Sequence, residues 1–562
     1  MSLKFNNTFI LIFAFLLIVF VLSCTKKEQN IANENNKFNL SVYIESFCSK
    51  SSKNKLINKK FAALKQMIDF YKSIDYKPVW IKNNQANNNF NIIIDLLKQS
   101  MNYGLDTTIY RTQLINSAAN NINKSVINSQ NICNIIITEI YTTNSILLFM
   151  NHIEHGILMP DTLVFGGKIN EFNDTIPIIL KNSLRKNKLI DGVLSVQPKN
   201  PHYIAVQKAL QKYLKNNFVN NYKYKVPYFA KDSSGCRNGV RQMLIIYGYL
   251  KKGELNNDSI KKAIMQFQTE HGLNPRGGYD TLTIETIRNS KYDLYRKAAL
   301  TLQRLRWSFI KDNNYILVNV PSFTLNLVED SEIAVTHKVI AGTPDNATPE
   351  LNSRMSHIIL FPDWNVPFKI STKEFLPLIQ KDIKYLEKYK YEVIKGKNEI
   401  VDPSKIYWKK YTEKNFPYRL RQTSGDHNSL GIIKFYFPNE YGVYLHDTPG
   451  KRLFEKNYRA FSHGCMRLQN PYKFAATLLE YKKGISHLNN KNSEQLIEVK
   501  KLYEDIKERN KSTFYIQRAL PIYVRYFTAF FNDKTELTFY PDMYHKDQQL
   551  IDAYNVAVKK YE

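Results

Sequence analysis

Tyr444-Leu445-His446-Asp447-Thr448-Pro449, followed by Ser462-His463-Gly464-Cys465-Met466-Arg467, is the stretch on which the reading of this chain turns. A cysteine nucleophile reacts as the thiolate, and a nearby imidazole is the usual means of making one near neutral pH. Gly464 lets the backbone turn tightly and brings main-chain N–H groups toward a reacting carbonyl. His446, on a strand ahead of the turn, is the candidate base. His463, two residues from Cys465, is the second candidate or a group that orients the loop. The backbone N–H groups of Gly464 and Cys465 are candidate oxyanion donors. Arg467 offers a guanidinium fork to a substrate carboxylate, or braces the loop. Tyr444 shares a strand face with His446 through i, i+2 spacing, and Ser462 is placed to hydrogen-bond the catalytic loop. Asp447 is too close in sequence to serve as a triad carboxylate, so a backbone carbonyl is the expected orienter of the imidazole. A buried structural cysteine is the plain alternative for Cys465. The clustering of so many chemically useful groups argues against it.

Working outward, β patterns flank this stretch. Residues 316–321 and 323–328 are β-rich, the second run alternates, and a turn follows at Glu329-Asp330. Further strands are expected at 334–341, 357–360, 431–437 and 443–446. Closing strands are expected at 521–530 and 536–540, with a turn at Asn532-Asp533-Lys534 and a tail over 546–562. Residues 372–425 break the pattern with a helical run and then a Lys- and Tyr-rich segment. An insertion ahead of the catalytic strands reads as a cap.

The 562 residues are 43% hydrophobic and 13% aromatic, enough for several cores. The net charge of +29 raises a nucleic-acid reading. The basic residues are spread along the whole chain, however, without a zinc-finger, RRM or helix-turn-helix signature, so no nucleic-acid partner is expected. A basic surface facing an anionic polymer or membrane is the alternative. None of the five cysteines forms a CxxC pair, and neither a metal nor a cofactor is expected. Cys48, Cys133 and Cys236 are core thiols or disulfide partners, without a way to choose between them. His152 and His155, near a helix end, read as structural.

The N-terminal apolar run, residues 8–22, is short for a membrane span and right for a signal peptide. Val21-Leu22-Ser23-Cys24 resembles a bacterial lipobox. The resemblance implies cleavage before Cys24, lipidation of Cys24, and a chain lipid-anchored to a membrane on the periplasm-facing side of the cell envelope. Residues 24–39 read as a tether and 40–228 as a mainly helical scaffold. Residues 236–290 resemble the small three-helix peptidoglycan-binding domain, through Gly248-Tyr249-Leu250, Phe267-Gln268, His271-Gly272-Leu273 and a Thr-rich last helix.

Over nearly all its mature length the chain resembles an L,D-transpeptidase of the large YcbB-type architecture, with a YkuD-type catalytic domain at 300–545 and a helical scaffold matched through Val79-Trp80 and Tyr103-Gly104-Leu105. The resemblance rests on Ser462-His463-Gly464-Cys465-Met466-Arg467-Leu468 and on the upstream His446 segment. Supporting matches run through Arg306-Trp307, Val318-Asn319-Val320-Pro321, Thr348-Pro349, Trp364-Asn365-Val366-Pro367, Asn428-Ser429-Leu430-Gly431 and Lys434-Phe435. Met466 stands where Ile or Val is commoner, a change that roughly conserves volume. The fold class expected is α+β multidomain. It comprises a helical scaffold, a small three-helix domain, and an antiparallel β-rich catalytic domain with an inserted capping subdomain.

The resemblance implies 3→3 cross-linking of peptidoglycan stem peptides. Cys465 attacks the carbonyl between the third residue and the terminal D-Ala of a tetrapeptide stem. D-Ala leaves, and the side-chain amine of another stem resolves the thioester. Carbapenem-type inhibitors are then expected to acylate Cys465. An L,D-carboxypeptidase uses the same chemistry with water as acceptor. A non-enzymatic wall-binding lipoprotein is a third reading, which the Cys465/His446 pair disfavours. A papain-like peptidase would place its cysteine near the mature N-terminus, ahead of its histidine.

Overall fold

The computed structural model describes residues 38–51, 61–123, 128–160, 173–216 and 226–559, apart from 255, 272, 289–290, 309, 311, 481–492 and 532–535. Cys24, the apolar run before it and the tether as far as residue 37 lie outside the described residues. So does the turn expected at 532–534.

The scaffold is organised around one helix, Ser129–His155. Asn128 caps its start by accepting from the Asn131 N–H, and Gly156, at φ +86°, ends it. The helix is long and apolar enough to cross a membrane by length and composition, but 89% of its most apolar window is buried against neighbouring helices. It is therefore a core helix. Glu139, fully buried on it, accepts from the N–H groups of Val79, Trp80 and Ile81 and from the Tyr71 hydroxyl. One carboxylate thus gathers a loop that would otherwise bury unpaired donors.

Three helices, Ser233–Ile246, Asn257–Glu270 and Thr281–Ile287, form a separate unit. Asp232, Asn256 and Asp280 each cap a helix start through the side chain. Val240, Leu244, Ile264, Phe267, Ile284 and Ile287 belong to its own core. The next helix, Lys291–Trp307, joins this unit, the scaffold and the sheet. Gly104, at φ +67°, lets the scaffold meet it closely: a Cβ there would stand 2.9 Å from the Ala299 Cα.

The catalytic sheet contains β1 (Tyr315–Asn319), β2 (Thr324–Glu329), β3 (Glu332–Gly342), β4 (Leu351–Leu360), β5 (Ile433–Tyr436), β6 (Leu445–His446), β7 (Ala460–Ser462), β8 (Met466–Leu468) and β9 (Thr513–Arg525). Their order is β7-β3-β8-β6-β5-β4-β9-β1-β2, and β2 also pairs with β3. That extra pairing closes eight strands into a ring and leaves β7 at its side. The sheet is mixed: β6–β8, β7–β3 and β9–β1 are parallel. A chain with helices and a 59-residue excursion between its strands can supply the crossovers that parallel pairs need. Leu445, Met466, Phe435, Ile358 and Phe514 belong to the core of this unit.

One boundary and one element differ from the sequence reading. The cap begins at Trp364, not at 372, because Trp364–Asn365 pairs with Arg421–Gln422 and Val366 lies in the cap's own core. Its Lys- and Tyr-rich segment forms strands, with Tyr418–Gln422 pairing along Tyr391–Lys395. The second difference is the tail. Residues Lys546–Val558 form a helix. It is held by Asp547, buried, which accepts from Arg304 at 2.5 Å and from the Thr528 hydroxyl at 2.5 Å. Paired buried charges of this kind are costly to break.

Candidate active site

Strand register assembles the site. β6 and β8 run parallel with Leu445 beside Met466 and His446 beside Arg467. Leu445 and Met466 point into the core. By alternation Tyr444, His446, Cys465 and Arg467 share the outer face. β5 adds Lys434 to that face, directly opposite His446.

The turn before β8 is held from three sides. Gly464 sits at φ +108°, a conformation that favours glycine. The Ser462 hydroxyl donates to the Cys465 carbonyl at 2.5 Å and accepts from the Gly464 N–H at 3.2 Å. The Thr348 hydroxyl donates to the Gly464 carbonyl at 2.8 Å. Thr348 is in turn tied to Tyr544, whose hydroxyl accepts from the Thr348 N–H. The C-terminal segment therefore reaches the nucleophile loop through two residues. The Gly464 N–H, a candidate oxyanion donor from sequence, is consumed by Ser462. No described residue accepts from the Cys465 N–H.

Cys465 is the one half-buried thiol among the described cysteines; Cys48, Cys133 and Cys236 are buried, and all four are free. Burial pushes the Cys48 thiol up to about 12 and raises those of Cys133 and Cys236. Burial also raises Cys465. There it is opposed by hydrogen bonds from the Tyr444 backbone and phenol, and by the charges of Lys434 and Arg467. These four influences all favour thiolate, and only Cys465 has them together.

His446 is buried and pushed down to about 3, first by burial and then by the Arg467 charge; carbonyls of Asp447 and Leu430 act the other way. Its Nδ1 lies 2.5 Å from the Asp447 carbonyl oxygen, a contact that favours the tautomer with its proton on Nδ1. The Asp447 carboxylate faces elsewhere, accepting from the Ile432 N–H and pairing with Lys451. Tyr444, not His446, is the side chain that acts first to lower the thiol against burial. His463 turns to the cap, with Nε2 2.8 Å from the Glu374 carboxylate and both side chains half exposed. That engagement makes it a link between loop and cap and counts against it as the base. Arg467 has a buried Nε without a partner.

Sequence reasoning missed Lys434, Glu374 and Trp364 as members of this site. Lys434 places its ammonium 4.0 Å from the Tyr444 ring centroid. Trp364, at the root of the cap, acts on the Tyr444 phenol, lowering it against burial. Lys434 carried a sequence signal, since it opens the Lys434-Phe435 pair on a strand next to β6. Glu374 carried none.

A closed mixed sheet bearing a cysteine turn, under an inserted cap, defines the class of domain. Residues 313–485 match the YkuD family, described as the L,D-transpeptidase catalytic domain, and residues 65–210 match the scaffold-domain family. The chain is 32% identical over 276 residues to the Haemophilus influenzae protein named "Putative L,D-transpeptidase". That alignment covers 48% of this chain and 52% of that protein, so the chain spans about half the length of the curated relative it matches. Residues 313–485 are thus similar to an L,D-transpeptidase catalytic domain, and residues 65–210 to a scaffold domain.

Proposed function

We propose that the protein is a cysteine-dependent L,D-transpeptidase that forms 3→3 cross-links in peptidoglycan. The observation that carries this reading is the single outer face that joins Cys465, Tyr444, His446, Arg467 and Lys434. Cys465 gives up its proton to neutral His446 as its sulfur attacks the carbonyl of the third stem residue. The Cys465 N–H stabilises the oxyanion, a donor typically worth about 3 kcal/mol when preorganised. The C–N bond to D-Ala breaks, and His446 returns the proton to the leaving amine. An acceptor amine then attacks the thioester, His446 takes its proton, and the thiol is restored. Arg467, with its unpaired buried Nε, holds a substrate carboxylate. The bond between Glu374 and His463 supports a cap that keeps water from the thioester, which favours an amine acceptor over hydrolysis. In the same reading Cys24 is lipidated, the chain faces the periplasm from a membrane, and the three-helix unit binds the wall.

The test is mass spectrometry of muropeptides made with the wild type and with Cys465→Ala. Wild type is expected to yield 3→3 dimers and Cys465→Ala none. Shortened stems without dimers would replace the transpeptidase by an L,D-carboxypeptidase. Unchanged stems with both proteins, alongside binding to sacculi, would leave a wall-binding protein. Covalent labelling by a carbapenem is expected at Cys465, and labelling at another cysteine would overturn the nucleophile assignment.

A further inference from the structure

The outer face of the ring carries two neighbouring rows of side chains across β9, β4, β5, β6 and β8. One row is Thr513, Ile359, Lys434, His446 and Arg467. The other begins with Tyr515, His357 and Tyr436, each directly paired with the next. Tyr444 continues it, one position beyond the Phe435–Leu445 pair. Cys465 ends it, one position before the Leu445–Met466 pair. The nucleophile therefore stands at the end of a line of four rings, and the proposed chemistry uses only the nearest, Tyr444.

The three distal rings form a ladder. His357 stacks on Tyr436 at 4.8 Å between centroids and 28°, and lies 5.5 Å and 45° from Tyr515. Tyr436 is 38% exposed and Tyr515 71%. Rings stacked across adjacent strands stand on the sheet like plates in a rack. Both end rings of the ladder keep part of their surface open to solvent. Lys434 links the ladder to the catalytic ring: its ammonium lies over the Tyr444 ring, and its charge is felt by His357.

Strand spacing of about 4.8 Å puts Tyr436 roughly 10 Å from Cys465, His357 roughly 14 Å and Tyr515 roughly 19 Å. Three extended peptide residues span roughly 10 Å. A stem whose third carbonyl lies at Cys465 and whose chain follows the row runs out of peptide where the exposed rings begin. What is attached there is a sugar. A pyranose presents a C–H face to an aromatic face, whose charge is negative, and presents hydroxyl and amide groups at its edge. The phenol hydroxyls and Ser356, which lies 2.9 Å from His357 Nδ1, are the polar groups on the ladder.

We propose that Tyr436, His357 and Tyr515 form a subsite for the sugar ring of the glycan strand that carries the donor stem. The inference rests on the transpeptidase reading of Cys465. It makes the enzyme select a stem still attached to its glycan over a free peptide.

The experiment follows acyl-enzyme formation by intact-protein mass spectrometry with two donors, a free tetrapeptide and the same tetrapeptide on its disaccharide. Wild type is expected to acylate about tenfold more efficiently from the disaccharide donor, the scale of one good aromatic contact. The Tyr436→Ala/Tyr515→Ala variant is expected to lose that advantage while its reaction with the free tetrapeptide stays within about twofold. Tyr515→Ala alone, at an exposed position, gives the same comparison if the double variant folds poorly. Equal use of both donors by the wild type would overturn the inference. So would equal slowing of both in the variant, which marks a structural ladder. A change in the sedimentation of the free protein on substitution would make the ladder a contact between copies of the chain and would also overturn it. Acylation by neither donor would defeat the transpeptidase reading itself and the subsite with it.

Discussion

His152 in the scaffold and His446 in the sheet have nearly the same electrostatics. Both are buried, and both are pushed down to about 3, first by burial and next by an arginine, Arg306 for one and Arg467 for the other. Each has a near partner: the Tyr110 hydroxyl is 3.1 Å from His152 Nδ1, and the Asp447 carbonyl oxygen is 2.5 Å from His446 Nδ1. They differ in what shares their surroundings. His152 sits on a helix packed into a core, beside Tyr110 and Phe149. His446 sits on a sheet face beside a half-buried thiol, a phenol and two cations. A displaced pKa reports burial; only the neighbours turn burial into chemistry.

The largest expected effect separates the two. His446→Ala should slow acylation of Cys465 by roughly a thousandfold, the middle of the range for a general base. His152→Ala should leave acylation per folded molecule unchanged and cost roughly 2–4 kcal/mol of stability, since it empties a core position and removes the Tyr110–His152 hydrogen bond. Intact-protein mass spectrometry and urea unfolding measure the two quantities. Similar profiles for both variants would erase the distinction.

Stability against pH sharpens what the two histidines have in common. Unfolded imidazoles titrate near 6.5, whereas His152 and His446 lie near 3, and His202 and His271 near 4. Between those values the unfolded chain holds protons that the folded chain lacks. The stability from these groups is therefore complete above about 6.5 and is lost as pH falls toward 3. Glu139, raised to about 7, acts oppositely: its contribution is complete below about 4.5 and fades as pH rises toward 7. The urea midpoint should fall on acidification from pH 6.5 to 4, and less steeply in His152→Ala. A flat profile would contradict the buried neutral imidazoles.

A smaller effect tests the thiol's surroundings. Tyr444→Phe removes a hydrogen bond that favours thiolate, so the thiol titrates higher. Acylation should slow about tenfold, in keeping with the loss of a hydrogen bond to a charged group, and its pH profile should rise at more alkaline pH. An unmoved profile would dismiss the phenol's role. The smallest effect belongs to Glu374→Gln. The pair with His463 is half exposed, so stability should change by less than about 1 kcal/mol. Acylation should stay within about threefold; a larger loss would make the cap contact part of the chemistry.

Much of the architecture was legible in order. The scaffold helices, the three-helix unit and the β-rich region follow from periodicity and caps that act over a few residues. Tyr444 and His446 could be put on one face because alternation along a strand is local. The ring closure was not legible, because β2 and β3 form a hairpin in sequence whatever the rest of the sheet does. The cap's true start was hidden for a related reason. Trp364–Asn365 reads as the end of one strand until its pairing with Arg421–Gln422 is known. The last helix escaped because Asp547 looks solvated until Arg304 and Thr528 are brought to it.

The sequence by itself determined the identities of the reactive groups: a cysteine behind a glycine turn, a histidine on the strand before it, and a phenol and a guanidinium at alternating positions. These follow from bond geometry within a few residues. Tertiary structure alone decided which partners those groups met. It gave the sulfur to Tyr444, turned His463 toward Glu374, took the Gly464 N–H for Ser462, and set Lys434, Tyr436, His357 and Tyr515 in line with them. The reason is that strand register couples residues far apart in the chain. A shift of one position would send each of those side chains to the other face.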